Sequence, residues 1–278
     1  MSLIDPVTNE KYIIGKYLGK GTSSVVHLVT KELDSELYTV KIIDTSIKNF
    51  NPAFVQNEIN IHIKQKHPNV LNMQLSFFGP DNNKFYIITD YCVNDSLRSL
   101  INSRKKLEYP EIRYCIFQLT NGLKYLHANG VMHRDIKLDN ILLDSEMNLK
   151  IADFGYATTE LTSKQQLGTP NYVAPEIILR RLYDNRVDIW ALGVCIYILA
   201  VGKVPFKGTG EGDKNMQLRS LYINIKNLTY TFPDNIDPDF KNLIEGIFTP
   251  KNIRLSLIDI ENHPFMKNGD IAKTLNYV

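Results

Sequence analysis

The apolar residues of this chain change their period near residue 91, and that change limits the fold more than any single motif does. Before it, the runs "YIIGKYLG", "SVVHLVT", "LYTVKIID" and "KFYIITDY" are rich in β-branched and aromatic residues and are separated by Gly, Asp and Asn turn signals. They predict a mostly antiparallel sheet. One helical stretch interrupts them, "NPAFVQNEINIHIKQKHP", in which Phe54, Ile59 and Ile63 recur at helical spacing before a His-Pro stop. From about Ser96 onward the period is helical, and "EIRYCIFQLTNGLKYLHANG" ends on Gly130, where a helix cap is expected. The strand-like pair "NILLD" and "NLKIADFG" follows, and helices dominate after Pro175. The expected fold class is α+β with two lobes: a strand-rich N-terminal lobe with one main helix, residues 1–91, and a helix-rich C-terminal lobe, residues 92–278, joined near Tyr91 to Asp95. No internal repeat, low-complexity segment or tail beyond the domain is expected.

Length and charge narrow the function classes. A chain of 278 residues buries well over half of its unfolded surface, so it needs no covalent staple. Its formal net charge of +2, with both signs interspersed, argues against a nucleic-acid binder driven by a basic face. The cysteines Cys92, Cys115 and Cys195 are scattered and form no CxxC, which indicates neither a disulfide framework nor a zinc site and fits a reducing compartment. The start lacks a basic segment followed by an apolar run, and the closest approach to a membrane span, Ile189 to Gly202, is too short and reads as a buried core helix. A soluble, intracellular protein without membrane contact is expected.

The chemistry concentrates in "HRDIKLDN", residues 133 to 140. Phosphoryl transfer to an alcohol needs a carboxylate to orient the acceptor, a cation over the γ-phosphate and hard oxygen ligands for Mg²⁺. Asp135, Lys137 and Asn140 supply all three in one loop. Asp153 in "ADFG" follows at a distance that suits one hairpin returning to the same cleft, where it would bridge Mg²⁺ to the phosphates. Weaker signals agree. "LGKGTSSVV" sits between two strand runs, so Leu18, Gly19, Lys20 and Gly21 would let a hairpin backbone approach phosphates, although a glycine pair at a turn is by itself only a turn. Lys41 lies mid-strand in "YTVKII", where an unpaired ammonium is costly to bury; Glu58 is the natural partner, with a lysine snorkelling from an edge strand as the alternative. Glu176 in "GTPNYVAPE" would need a cation in a buried turn, and Arg254 is the candidate.

Together, the order glycine loop, Lys41, Glu58, HRD, DFG and APE resembles the eukaryotic protein kinases over nearly the whole chain. Lys137 and "GTPNYVAPE" look like the serine/threonine class. "VQNEINIHIKQKHPNVL", "RSLINSRKKLEYPEIRYCIFQLTNGLKYLH" and "RLSLIDIENHPFM" resemble the Polo-like kinases, including their centriole-duplication branch, while "YTFP" and "HPF" also resemble Aurora and calcium/calmodulin-dependent kinases. The resemblance implies a bilobal protein-kinase fold, ATP and Mg²⁺ as cofactors, and protein substrates with serine or threonine acceptors. It further implies a cell-cycle role, a monomeric domain, and a cytoplasmic, nuclear, centrosomal or spindle-pole location. It also implies that Lys41 contacts the α- and β-phosphates, and that Asn140 with Asp153 holds Mg²⁺. Val26 and Leu142 would sandwich adenine, the backbone of Asp90 and Cys92 would bond its edge, and Asp95 would reach the ribose. Thr89 would leave a back pocket open. Met73, His62, Phe154 and His133 would stack as a spine anchored by Asp188. A pseudokinase scaffold would lack Lys41, Asp135, Asn140 or Asp153, and all four are present; against a small-molecule kinase, "GTPNYVAPE" and the long helical lobe after it suit protein substrates.

Several positions depart from the family. Ser23 stands where most kinases have an aromatic loop tip, Ser24 replaces a third glycine and so makes positive φ costlier, and Thr39 replaces the usual alanine above the adenine. Arg134 typically pairs with a phosphothreonine, yet that position is Gln165. Either phosphate is added at Thr162 or Ser163 by an upstream kinase, or the segment orders without phosphate or under an activating partner; the first is favoured because Arg134 otherwise lacks an anion. Asp139, finally, is either a recruiter of a basic substrate residue, a solvated carboxylate or a helper for Lys137.

Overall fold

The computed structural model describes residues 2–21, 24–46, 51–80, 83–210 and 212–277. Six strands, each antiparallel to its neighbours, form one sheet: β1 (Ser2–Ile4), β2 (Lys11–Lys20), β3 (Ser24–Lys31), β4 (Leu37–Asp44), β5 (Met73–Phe78) and β6 (Lys84–Asp90), in the spatial order β1-β2-β3-β4-β6-β5. Alternation in the sequence predicts four of them. β1 turns only Leu3 inward, and β5, "MQLSFF", is short and ends on two aromatics, so neither announces itself by a long period-two pattern.

The period-two geometry of β4 sorts its side chains. Tyr38, Val40 and Ile42 pack with Val29, Tyr86 and Ile88 on one face. Ile43 lies on the other, with Met73, Phe85, Ile87 and the helix α1 (Pro52–His62), and Thr39 and Lys41 share that face. Helix α1 starts where Asn51 accepts the Ala53 N–H at 3.0 Å, with Pro52 in its first turn. Its inward row is Val55, Ile59 and Ile63. Phe54, expected on that face, is 56% exposed, because the i, i+4 row that meets the sheet runs through the residue after it. The helix also ends at His62, ahead of the expected His-Pro stop, where Gln65 turns back and its Nε2 donates to the Ile61 carbonyl at 2.8 Å.

The second lobe holds α2 (Leu97–Arg104), α3 (Tyr109–Ala128), the ribbon β7 (Ile141–Leu143) and β8 (Leu149–Ile151), α4 (Pro175–Ile178), α5 (Arg186–Val201), α6 (Lys214–Lys226), α7 (Pro238–Ile247), α8 (Leu257–Asn262) and α9 (Pro264–Lys267). Glu108 and Glu111 form a capping box at the start of α3, and Gly130, at φ 70°, takes the left-handed turn just past its end. Helix α5 is buried from Val187 to Leu199 and ends on left-handed Gly202, as a core helix should. Close contact between α3 and β8 depends on Gly122: a Cβ there would stand 2.9 Å from Ile151 and 3.0 Å from the Asn69 carbonyl. Asn69 in turn donates to Gln118 and to the Leu149 carbonyl, so the ribbon is bonded on both sides.

After α9 the chain runs back across α3 as a strap. Ala272 donates to the Pro110 carbonyl, Arg104 to the Asn276 carbonyl, and Leu275 is buried. The strap reaches the junction of the lobes, where the Tyr277 hydroxyl donates to the Asn94 carbonyl at 2.6 Å. The three cysteines are free and buried. Among the described residues, no helix is long and apolar enough to cross a membrane.

Candidate functional site

Between the sheet and the second lobe lies a cleft of about 600 Å³. Its roof is β2, β3 and β4, and its floor is the β7–β8 ribbon. The ribbon explains how residues far apart in sequence meet. Asn140 closes the short helical turn leading into β7, Asp153 follows β8, and the Ala152 N–H donates to the Asn140 carbonyl at 2.8 Å, so the two side chains leave the ribbon as neighbours.

Lys41 spans the cleft. Its ammonium donates to Glu58 Oε1 at 2.7 Å and lies 3.4 Å from Asp153 Oδ1, which settles the question of a snorkelling edge lysine: β4 is an interior strand, and the ammonium is paired. Burial alone would lower its pKa, but the two carboxylates outweigh burial and hold it above the ordinary lysine value. Burial would likewise raise Asp153, yet Lys41, the His133 ring, the Gly155 N–H and Lys137 keep its carboxyl below the usual range. Asp153 is thus an ionised carboxylate, 46% exposed, facing the cleft beside the Asn140 amide. Two hard oxygen donors of this kind fit a hard divalent cation such as Mg²⁺.

Asp135 lies below the cleft, buried, with both oxygens engaged. Lys137 Nζ donates to Oδ2 at 2.6 Å, Asn140 Nδ2 to the same oxygen at 3.0 Å, and the Thr169 hydroxyl to Oδ1 at 2.8 Å. Lys137 also donates to Thr169 at 3.1 Å. Thr169 is a site residue that motif spacing left without a role, although it lies in the quoted "GTPNYVAPE". The loop backbone is fixed from below by Asp188, whose oxygens accept the His133 N–H at 2.9 Å and the Arg134 N–H at 2.8 Å. Burial opposes ionisation of Asp188, and His127 together with His133 overcomes it, so its pKa is lowered.

Met73, His62, Phe154 and His133 are all buried, and the last three stack: His62 on Phe154 at 4.3 Å between ring centroids, Phe154 against His133 at 5.1 Å edge to face. Burial pushes His62 down to about 4, and its Nε2 lies 2.7 Å from the Leu71 carbonyl. The expected cofactor residues Leu18, Gly19, Lys20, Gly21, Val26, Thr39, Thr89, Cys92, Asp95 and Leu142 line the cleft with Lys41. Asp90, also expected there, is not among the residues that line the cleft; its carboxylate accepts from Gln74 at 2.6 Å. Leu71 and Ala152, which no motif marks, complete the apolar floor with Cys92 and Leu142. Past Thr89 the cavity continues to Glu58, His62 and Ile87. Thr39 and Thr89 are cross-strand partners with hydroxyls 2.6 Å apart, so the roof hydroxyl is satisfied by the Thr89 hydroxyl.

Three expectations change. Ser24 lies in β3 opposite Ile43 and, like Gly19 and Gly21, does not take positive φ, so the anticipated backbone cost does not arise; Ser23 lies outside the described residues. Asp139 pairs with Arg98 at 3.5 Å rather than with Lys137, and stays 51% exposed. Arg134 does not lack a partner: its Nη1 donates to the Gln165 side-chain oxygen at 2.9 Å. The Glu176–Arg254 pair forms as expected, bidentate at 2.7 and 3.0 Å, with Arg254 stacked over Trp190.

Comparison with known proteins agrees with this geometry. The profile of the protein kinase domain matches residues 12–266. Serine/threonine-protein kinase PLK2 of Mus musculus is 34% identical over 275 residues, covering 96% of this chain and 39% of that protein. Probable serine/threonine-protein kinase CCRP1 of Zea mays is 37% identical over 273 residues, 95% of this chain and 42% of that protein. Serine/threonine-protein kinase PLK1 of Xenopus laevis is 34% identical over 280 residues, 98% of this chain and 45% of that protein. The chain spans less than half the length of these relatives. With the family profile covering all but its ends, and the cleft carrying the paired lysine, the loop carboxylate and the two oxygen donors, this chain belongs to the protein kinase family.

Proposed function

We propose that this domain transfers the γ-phosphoryl group of ATP to serine and threonine hydroxyls of protein substrates. The observation that carries the reading is the convergence of Lys137, Asn140 and Thr169 on the buried Asp135, one loop away from the Lys41–Glu58–Asp153 chain of charges. In the transfer, the bond from the γ-phosphorus to the β,γ-bridging oxygen breaks, a bond to the acceptor oxygen forms, the acceptor proton passes to Asp135, and ADP leaves. Asp135 orients the acceptor hydroxyl, and Lys137 neutralises charge on the moving group. Lys41, held by Glu58, takes the α- and β-phosphates, and the Leu18–Gly21 backbone covers them. Asn140 and Asp153 hold Mg²⁺, which when bound neutralises phosphate charge. Val26, Leu142, Leu71 and Ala152 enclose the adenine, the backbone of Asp90 and Cys92 bonds its edge, and Asp95 serves the ribose.

We also assign the lobes to residues 1–91 and 92–278, with the domain acting as a monomer. The names of the relatives support a Polo-like serine/threonine kinase; the cell-cycle role, and work in the cytoplasm, the nucleus or at the centrosome or spindle pole, follow from the family resemblance alone. The test is incubation of the chain with Mg²⁺-ATP and a generic protein substrate, with modified residues identified by mass spectrometry. Phosphoserine and phosphothreonine are expected, and Asp153→Ala is expected to abolish both. Absence of transfer by the unmodified chain contradicts the reading and leaves a scaffold.

A further inference from the structure

Gln165 stands where a phosphorylated residue would meet Arg134, and the surrounding bonds form a closed clasp. Arg134, at φ 66°, donates from Nε to the Tyr156 carbonyl at 2.6 Å, and from Nη1 to Gln165 Oε1 at 2.9 Å and Ser163 Oγ at 3.4 Å. Gln165 is held at two further points, beside a bridge between its neighbours. Its N–H donates to Ser163 Oγ at 3.2 Å, its carbonyl accepts from the Tyr183 hydroxyl at 2.8 Å, and Ser163 and Tyr183 exchange backbone bonds at 2.9 and 3.0 Å. Tyr183 is fully buried and Ser163 nearly so. The segment therefore crosses Arg134 anchored to a core residue, before Thr169 reaches Asp135.

The partners available to the guanidinium are neutral acceptors: a carbonyl, an amide oxygen and a hydroxyl. They satisfy three of its bonds without any added charge. Phosphate on Ser163 would bring roughly two negative charges to a buried side chain whose oxygen already accepts two bonds, from Arg134 and from the Gln165 N–H. Thr162 is exposed and takes no part in the clasp.

We propose that Gln165 is a positioning residue for phosphoryl transfer: its neutral amide, clasped between Arg134 and Tyr183, orders the activation segment, so transfer requires no phosphate there. The inference rests on the transfer reading above. Gln165 acts through Arg134, whose backbone adjoins Asp135 and is bonded to Asp188.

The test uses the chain as purified and after treatment with a broad-specificity phosphatase, with mass spectrometry verifying an unmodified segment. The dephosphorylated chain is expected to keep its kcat within about twofold, and Gln165→Ala to lose about tenfold in kcat, the loss of one bond from a charged donor, with KM for ATP unchanged. Gln165→Glu restores the rate by offering Arg134 an equivalent acceptor, and that rescue disappears in an Arg134→Ala background, which a merely structural role would not produce. Activity lost only on dephosphorylation, or an indifferent Gln165→Ala, overturns the proposal. A chain inactive both before and after phosphatase contradicts the transfer function itself.

Discussion

At the residue scale, the site is a set of side chains whose charge states are set by their neighbours. Lys41 stays protonated despite burial because two carboxylates face it, and Asp153 stays ionised because Lys41 faces it; each is the condition of the other. His62 works in the opposite direction. Buried in the ring stack, it is neutral in the folded protein down to about pH 4, whereas in the unfolded chain it titrates near 6.5. Its folded pKa is depressed, so the stability it carries is present above about pH 6.5 and is lost as pH falls toward 4. Urea midpoints should fall across that window by the equivalent of about 3 kcal/mol. His67 and His263, both lowered by partial burial, add to the same slope. A His62→Gln variant should flatten most of it; an unchanged slope would show that the acid sensitivity lies elsewhere.

At the element scale, two short connections do most of the positioning. The β7–β8 ribbon delivers Asn140 and Asp153 to one place, and the bidentate Glu176–Arg254 pair ties α4, at the end of the activation segment, to the chain preceding α8. Both partners of that pair are buried, so removing one leaves the other charge uncompensated. Glu176→Ala should cost about 3–5 kcal/mol, read as a lower urea midpoint or melting temperature, and a loss below about 1 kcal/mol would mean the pair behaves like a surface ion pair. Much of this scale was legible in the sequence. The long helices announced themselves by period and caps, as α3 did through Gly130, and the pairing of Glu176 with Arg254 followed from the cost of a buried charge. The inward face of α1 was not, because Phe54 and Val55 both suit a helical row and only the sheet above decides between them. β1 and β5 were missed for a related reason: their apolar residues are too few to alternate visibly.

At the scale of the whole molecule, a sheet and a helical lobe share one cleft, and the charged groups on its two sides meet across it. The motif residues of that cleft were readable from spacing, since phosphoryl transfer demands particular side chains at particular separations. Its apolar floor was not. Leu71 and Ala152 are recruited by packing, and packing leaves no local signature when the contacting residues are far apart in sequence. Arg134 shows the same limit, because its missing anion was inferred from a motif while its actual partners, Gln165 and the Tyr156 carbonyl, depend on how the segment folds back.

The central claim is that Asp135 performs the transfer while the cleft above it binds the nucleotide independently. The direct measurement is single-turnover phosphate transfer by Asp135→Asn beside the unmodified chain, with Mg²⁺-ATP affinity determined for both by calorimetry. The account predicts a fall in transfer rate of at least about a hundredfold with ATP affinity unchanged; undiminished transfer by Asp135→Asn would contradict it.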